Sequence, residues 1–206
     1  MKAPFIGISR HRIDLDGPGV CTLAAFHGCP LRCRYCLNRQ CFDHEERCEQ
    51  LSPEELYLRL SPDNLYFIAT GGGVCFGGGE PLMRTAFIGR FRELCGKGWH
   101  ITIETSLNVP PEAVEAIAPV ADSYIIDIKD CDPGIYQRYT GRGNATALAN
   151  LRRLLSLAGA EALRLRVPLI PGYNTPADNA RTIAQLHDMG IANIEQFNYI
   201  TNTDTQ

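Results

Sequence analysis

Three thiols crowd one short stretch of the chain, Gly28-Cys29-Pro30-Leu31-Arg32-Cys33-Arg34-Tyr35-Cys36, in a C-x-x-x-C-x-x-C spacing. Thiolates this close in sequence can each ligate one iron of a 4Fe-4S cubane, and three of them leave the fourth iron without a protein ligand. Electron-transfer clusters normally take four cysteines, so an open iron points to a substrate or cofactor that binds the metal directly. A second reading is a structural zinc site in a non-catalytic binding module, with Cys41, Cys48 or His44 as fourth ligand. Zinc knuckles usually pair two C-x-x-C-like units across a longer loop, and Cys41 and Cys48 form no second pair. The C-x-x-C-x-x-C run of a ferredoxin-like second cluster is missing. Cys21, Cys75, Cys95 and Cys131 read as buried small hydrophobes, the usual role of a free cysteine.

The second chemical feature is Gly71-Gly72-Gly73-Val74-Cys75-Phe76-Gly77-Gly78-Gly79-Glu80-Pro81, with glycines at both edges of a short apolar run. Glycine there lets the backbone approach a ligand closely. No Lys-Ser or Lys-Thr follows, so this is not a phosphate-binding P-loop, and by itself the run also fits a tight turn before a helix. Acidic Glu80 and Glu104 and basic Lys129 and Arg166 supply both signs of charge, as a ligand carrying an ammonium and a carboxylate requires. Taken singly, Asp127, Lys129 and Arg166 also fit surface or paired charges.

These residues need elements to position them. Short apolar runs alternate with longer amphipathic stretches, the pattern of repeated βα units around a mostly parallel sheet. The expected strands are Val20–Phe26, Gly73–Phe76, His100–Glu104, Tyr124–Ile128, Leu163–Val167 and Asn193–Asn198. The expected helices are Pro53–Leu60, Leu82–Cys95, Pro111–Ile117, Ala145–Leu157 and Pro176–Met189. Ser52-Pro53-Glu54-Glu55 and Thr175-Pro176-Ala177-Asp178 carry helix-start signals: a hydroxyl, a proline and first-turn acids. A full eight-unit barrel takes about 250 residues, whereas the 206 here suit six units. The expected fold is therefore an α/β, partial, laterally open (β/α)6 barrel, a single domain over 1–206, whose open side admits a bulky substrate.

Composition narrows the class. With 45% hydrophobic and 21% charged residues the chain reads as an ordinary globular protein. A net charge of -3 with scattered Lys and Arg gives no nucleic-acid footprint. No stretch approaches the ~20 apolar residues of a membrane span, and Met1–Arg12 does not read as a secretion signal, so a cytoplasmic location is expected. In that compartment nine cysteines crowded towards Cys21–Cys48 favour metal chemistry over disulfides.

The cysteine spacing, with Tyr35 immediately before the third cysteine, resembles the radical S-adenosylmethionine (SAM) superfamily, and Gly78-Gly79-Glu80-Pro81 resembles its GGEP motif. More narrowly, the chain resembles the activating enzymes of glycyl radical enzymes. That likeness is carried in order by Asp16-Gly17-Pro18-Gly19, Phe26-His27-Gly28-Cys29, the glycine-rich strand, Glu104-Thr105-Ser106, Asp127-Ile128-Lys129, Tyr139-Thr140-Gly141 and Arg166 through Ile170-Pro171-Gly172. The resemblance implies that Cys29, Cys33 and Cys36 hold the cluster and that the methionyl amino and carboxylate groups chelate the open iron. It implies a cofactor site of Tyr35, Cys36, Leu37, Gly78, Gly79, Glu80, Glu104, Thr105, Asp127, Lys129 and Arg166. Glu104 and Thr105 fall near the methionyl carboxylate, with a monovalent cation as a further candidate, and each polar group is placed at the carboxyl end of a strand.

Four positions depart from the activating-enzyme pattern. Cys21 replaces a common arginine, Leu37 a histidine, Gly77 a serine, and Ile200 stands where a histidine is expected. They spare the cluster and bear on the substrate. The expected activity is hydrogen abstraction from a glycine of a partner glycyl radical enzyme, with a flavodoxin or ferredoxin as electron donor; the alternative is the same radical chemistry on a small molecule or peptide.

Overall fold

A computed structural model describes residues 1–199. The chain begins with strand β1 (Ala3–Ile13), which turns back into β2 (Val20–Phe26). After the cysteine loop come β3 (Glu49–Leu51), α1 (Pro53–Leu60), α2 (Asn64–Thr70) and β4 (Gly73–Gly78). The remaining units are α3 (Thr85–Cys95), β5 (His100–Thr105), α4 (Pro111–Ile117), β6 (Ser123–Asp127), α5 (Pro133–Thr140), α6 (Ala145–Ala158), β7 (Leu163–Leu169), α7 (Pro176–Asp188) and β8 (Ile194–Asn198).

The strands form one sheet in the order β3-β1-β2-β4-β5-β6-β7-β8. From β2 to β8 every neighbouring pair is parallel, giving the six parallel strands of the expected open (β/α)6 barrel. β1 and β3 add an antiparallel extension at one edge that the sequence pattern did not show. The sheet has two ends and does not close among the described residues.

Period two sorts each strand into a helix-facing and an inward-facing row. Val74 and Phe76, Ile101 and Ile103, Tyr124 and Ile126, and Leu163, Leu165 and Val167 all join the buried core. The alternate positions carry Glu104, Asp127 and Arg166, so the pleat that buries the apolar row turns these polar groups towards the concave side. Phe26 and Phe76 stack at 5.5 Å, and Phe87 meets Phe26 edge-on at 5.5 Å, fixing α3 against the strands that flank the cysteine loop.

The helix starts follow their signals. Ser52 and Thr175 both form capping boxes, with Glu55 and Asp178 respectively. Asp132 caps α5 by accepting from the Ile135 amide at 2.8 Å, and Gly141, at φ 77, ends that helix in the left-handed conformation. Among the described residues no helix is long and apolar enough to cross a membrane.

Candidate active site

The cysteine loop leaves β2 and is held from three sides by its backbone. The Gly79 amide donates to Phe26 O at 2.8 Å and the Glu80 amide to Gly28 O at 2.7 Å, fastening it to the end of β4. The Arg32 amide donates to Thr140 O at 2.8 Å and that of Arg34 to Tyr139 O at 3.1 Å, fastening it to the end of α5. Asn38 Nδ2 donates to Gly78 O at 3.0 Å and closes the far side. The contact at Gly79 is close enough that a Cβ there would lie 2.2 Å from Gly28 O, so only glycine lets the two backbones meet.

This brings Cys29, Cys33 and Cys36 onto one cavity with Gly78, Gly79, Glu80, Glu104, Thr105, Asp127 and Lys129. An adjoining cavity of about 390 Å3 shares Leu37, Glu104, Asp127 and Tyr199 with it and adds Arg166, Glu195, Phe197 and Asn198. Ten of the eleven expected cofactor residues therefore border these two spaces. Tyr35 does not: its ring packs against Tyr173 at 5.7 Å and Tyr139 at 6.1 Å, and its hydroxyl donates to Pro171 O at 3.3 Å.

The charges are paired across strands. Arg166 Nη1 lies 2.8 Å from Glu104 Oε1, and Lys129 Nζ lies 2.8 Å from Asp127 Oδ2. Arg166 sits within β7 rather than at its carboxyl end, and the registers Glu104–Ile125 and Asp127–Arg166 set it diagonally from Glu104. Burial, and then the charge of Asp127, push the Glu104 carboxyl up to about 7. Burial works against the Lys129 ammonium, but the adjacent Asp127 carboxylate holds its pKa well above the ordinary value.

Glu80 is saturated. Oε1 accepts from Thr105 Oγ1 at 2.6 Å and the Leu82 amide at 3.2 Å, and Oε2 from Ser106 Oγ at 2.7 Å and the Ser106 amide at 3.0 Å. Its carboxylate thus fastens the end of β5 to the turn after β4, while burial still pushes its pKa up. Asp127 is the opposite case: its Oδ1 is buried with no hydrogen-bond partner. An acceptor left open beside a cavity fits an incoming donor, such as an ammonium group.

Burial pushes the Cys29 thiol up to about 12 and raises Cys33 as well. Thiols so placed become ligands when a cation holds them as thiolates. Among the described residues no three His, Cys, Asp or Glu side chains converge on a single-ion site. A cubane asks for something different, one thiolate at each of three irons around a shared space.

The four departures separate here. Leu37 stands 73% exposed at the mouth of both cavities. Cys21 is buried, its thiol 3.2 Å from Pro18 O, and it borders neither cavity. A Cβ on Gly77 would lie 2.7 Å from Glu104 Oε2, so a serine there would push on that carboxylate. Ile200 lies outside the described residues. Cys21, Cys75 and Cys131 are buried as expected, whereas Cys95, near the end of α3, is half-buried because its helix face meets solvent.

Three polar residues lining the first cavity escaped the sequence reading as site residues: Ser106, Asn38 and Tyr199. The only signals for them were adjacency to Thr105, to the third cysteine and to the end of the last strand.

The sequence profile of the Radical SAM superfamily matches residues 24–194, from the end of β2 through the cysteine loop and β4 to β7 up to the start of β8. The chain belongs to the radical SAM superfamily. This radical SAM enzyme is 30% identical to a pyruvate formate-lyase-activating enzyme of Staphylococcus aureus, over 89% of this chain and 74% of that one. It is 29% identical to the (2S)-3-sulfopropanediol dehydratase activating enzyme of Klebsiella oxytoca, over 85% of this chain and 74% of that one. Among solved structures, Streptococcus suis SuiB bound to precursor peptide SuiA superposes with a TM-score of 0.68 at 14% identity, over 86% of this chain and 38% of that one. That likeness is one of fold. The radical SAM enzyme is thus related to glycyl radical enzyme activating enzymes, and membership implies a 4Fe-4S cluster and S-adenosylmethionine.

Proposed function

We propose that this radical SAM enzyme is an activating enzyme that removes a hydrogen atom from the Cα of a glycine in a partner glycyl radical enzyme. The observation that carries it is the convergence of Cys29, Cys33 and Cys36 with Gly78, Gly79 and Asp127 on one cavity, in a chain about 30% identical to such enzymes.

In this reading the three cysteines anchor the cluster, and the glycine edge of β4 lets the methionyl end approach the backbone. With both bound, the cofactor pair supplies an adenosyl radical by reductive cleavage of the sulfonium bond. Asp127 Oδ1 accepts from the methionyl ammonium, and Lys129 and Arg166, held by their own carboxylates, orient its carboxylate end. A monovalent cation belongs to the same reading and leans on Glu104, since the Thr105 hydroxyl already serves Glu80 and accepts from the Leu107 amide at 2.9 Å. The open side of the barrel receives the partner's glycyl loop. With the cofactor bound, the adenosyl carbon would take the glycine's hydrogen atom, and the carbon radical left on the partner would be delocalised over the neighbouring amides. Holding the loop in line and excluding water are the protein's share of the catalysis. A flavodoxin or ferredoxin supplies the reducing electron.

The test is electron paramagnetic resonance (EPR) of the reduced, cluster-loaded protein mixed with S-adenosylmethionine and co-encoded glycyl radical enzyme candidates. A glycyl doublet is expected; its absence with every candidate contradicts the assignment. A small molecule or peptide substrate is the second reading, favoured by the apolar rim that Leu37, Phe197 and Tyr199 give the 390 Å3 cavity. Deuterium passing from a labelled small molecule into 5'-deoxyadenosine would select it.

A further inference from the structure

The cysteine loop has two unlike faces. Its inner face lines the cavity with Cys29, Leu31, Cys33 and Cys36. Its outer face carries Arg32, Arg34 and Arg39, all exposed, and Arg142 joins them from the segment after α5. None of the four lines either cavity.

Short contacts hold three of these guanidiniums against the backbone of the loop. Arg32 Nη1 donates to Cys29 O at 2.6 Å and Leu31 O at 2.9 Å, and Arg142 Nε reaches Pro30 O, between them, at 3.4 Å. Arg39 Nη2 donates to Arg34 O at 2.9 Å. Arg32 also stacks 4.5 Å over the Phe42 ring. Three of the four charges, those of Arg32, Arg39 and Arg142, therefore lie on carbonyls of the loop that carries the cysteines, and Arg34 is exposed in the same loop.

Among the described residues none of the four makes an ion pair; Arg47, Arg138, Arg152 and Arg164 make none either, but only these four gather on or beside the cysteine loop. Of the carboxylates that follow in sequence, exposed Asp43 makes no ion pair with any of the four, Glu45 faces Arg84 at 4.0 Å and Glu46 faces His44 at 3.6 Å. A chain of net charge -3 thus concentrates unneutralised positive charge on the outside of the loop behind its cysteines. Such a patch steers an oppositely charged protein and sets its orientation more than its final affinity.

We propose that Arg32, Arg34, Arg39 and Arg142 form the docking surface for an acidic one-electron carrier protein, which reduces the cluster through the thickness of the loop. The inference rests on the radical SAM reading of Cys29, Cys33 and Cys36. Each turnover needs one electron from outside, because cleavage of the sulfonium bond consumes one and hydrogen abstraction returns none. The carrier loses that electron, the cluster gains it, and no atom moves. The outer face of the loop suits the carrier because it is separate from the cavities, where the reacting substrate belongs.

Stopped-flow absorbance of the anaerobic, four-iron protein mixed with reduced flavodoxin, an acidic flavoprotein, reads the step directly. The wild-type rate should fall as salt rises towards about 0.15 M. Arg34→Glu with Arg142→Glu should slow reduction roughly tenfold at low salt and remove the salt dependence. Reduction of the same variant by dithionite should match wild type, and the milder Arg34→Gln with Arg142→Gln should fall between. Equal flavodoxin rates and salt dependence in all three proteins overturn the proposal. So does a charge-reversed protein that is reduced normally but no longer binds its glycyl radical partner, which assigns the patch to the substrate. A wild-type protein with no four-iron cluster, evident from iron analysis before any donor is added, instead removes the reading beneath it.

Discussion

The Thr105 hydroxyl lies 2.6 Å from Glu80 Oε1, and through that bond the end of β5 is fastened to the turn following β4. Both residues are buried, so the bond cannot be exchanged for one to water. Thr105→Val keeps the shape, removes the donor and leaves Glu80 Oε1 with the Leu82 amide alone. The expected loss of unfolding free energy is about 1–3 kcal/mol, read from urea midpoints of the apo protein. An unchanged midpoint would mean that Glu80 does not hold these strand ends together.

Gly79 tests the seam between the cysteine loop and β4. A methyl group there would lie 2.2 Å from Gly28 O and 2.9 Å from Phe26 O, both backbone atoms. Gly79→Ala should cost about 1–3 kcal/mol and lower the yield of cluster reconstitution. Gly89→Ala, within α3 and with nothing inside 4 Å, should instead stabilise by about 0.4–1 kcal/mol. If both variants melt alike, the close approach at Gly79 is not a constraint.

Much of this was legible because the signals are local. Three cysteines within eight residues, two capping boxes and the alternating core rows of β4 to β7 each lie within a few turns of chain. Pro53–Leu60 and Pro111–Ile117 coincide with α1 and α4, and the other expected helices differ only at an end, α3 being preceded by the tight turn Pro81–Arg84. β1 escaped because its fully buried residues are only Ala3, Pro4 and Phe5, after which the strand is mostly exposed and its polar residues Ser9 to Arg12 run consecutively; β3 has only three residues. α2 follows α1 after the short Ser61–Asp63 turn, and α5 carries Gly134 and two tyrosines, so neither shows a clean apolar stripe.

Within the site, what stayed hidden was pairing between distant strands. Nothing near Glu104 in sequence announces Arg166, 62 positions away. Nor does the position of Tyr35 between two cysteines say that its ring turns to Tyr139 and Tyr173.

The Glu104 carboxyl gives a pH signature. Burial, and then Asp127, raise it from 4.5 to about 7, so the folded protein holds this proton more tightly than the unfolded chain. Its contribution to stability therefore falls as pH rises from about 4.5 to about 7 and is constant above. Glu104→Gln removes that slope. Melting temperatures of wild type minus variant should decline across this window; parallel curves would place the Glu104 proton elsewhere.

Cys33→Ala should leave the fold intact, since Cys33 lies in a loop, but abolish retention of the cluster. Cys95→Ala, far along the chain in α3, should retain iron like wild type. Iron analysis after anaerobic reconstitution distinguishes them. A Cys33→Ala protein carrying a full cluster would remove that thiol from the ligand set.

The central claim is that three thiolates leave one iron open to S-adenosylmethionine. It is tested most directly by EPR of the reduced, oxygen-protected protein before and after that cofactor is added. A four-iron signal whose shape changes on addition is expected, because the cofactor enters the coordination sphere. A four-iron signal that does not change, or a colourless protein holding one zinc, would contradict it.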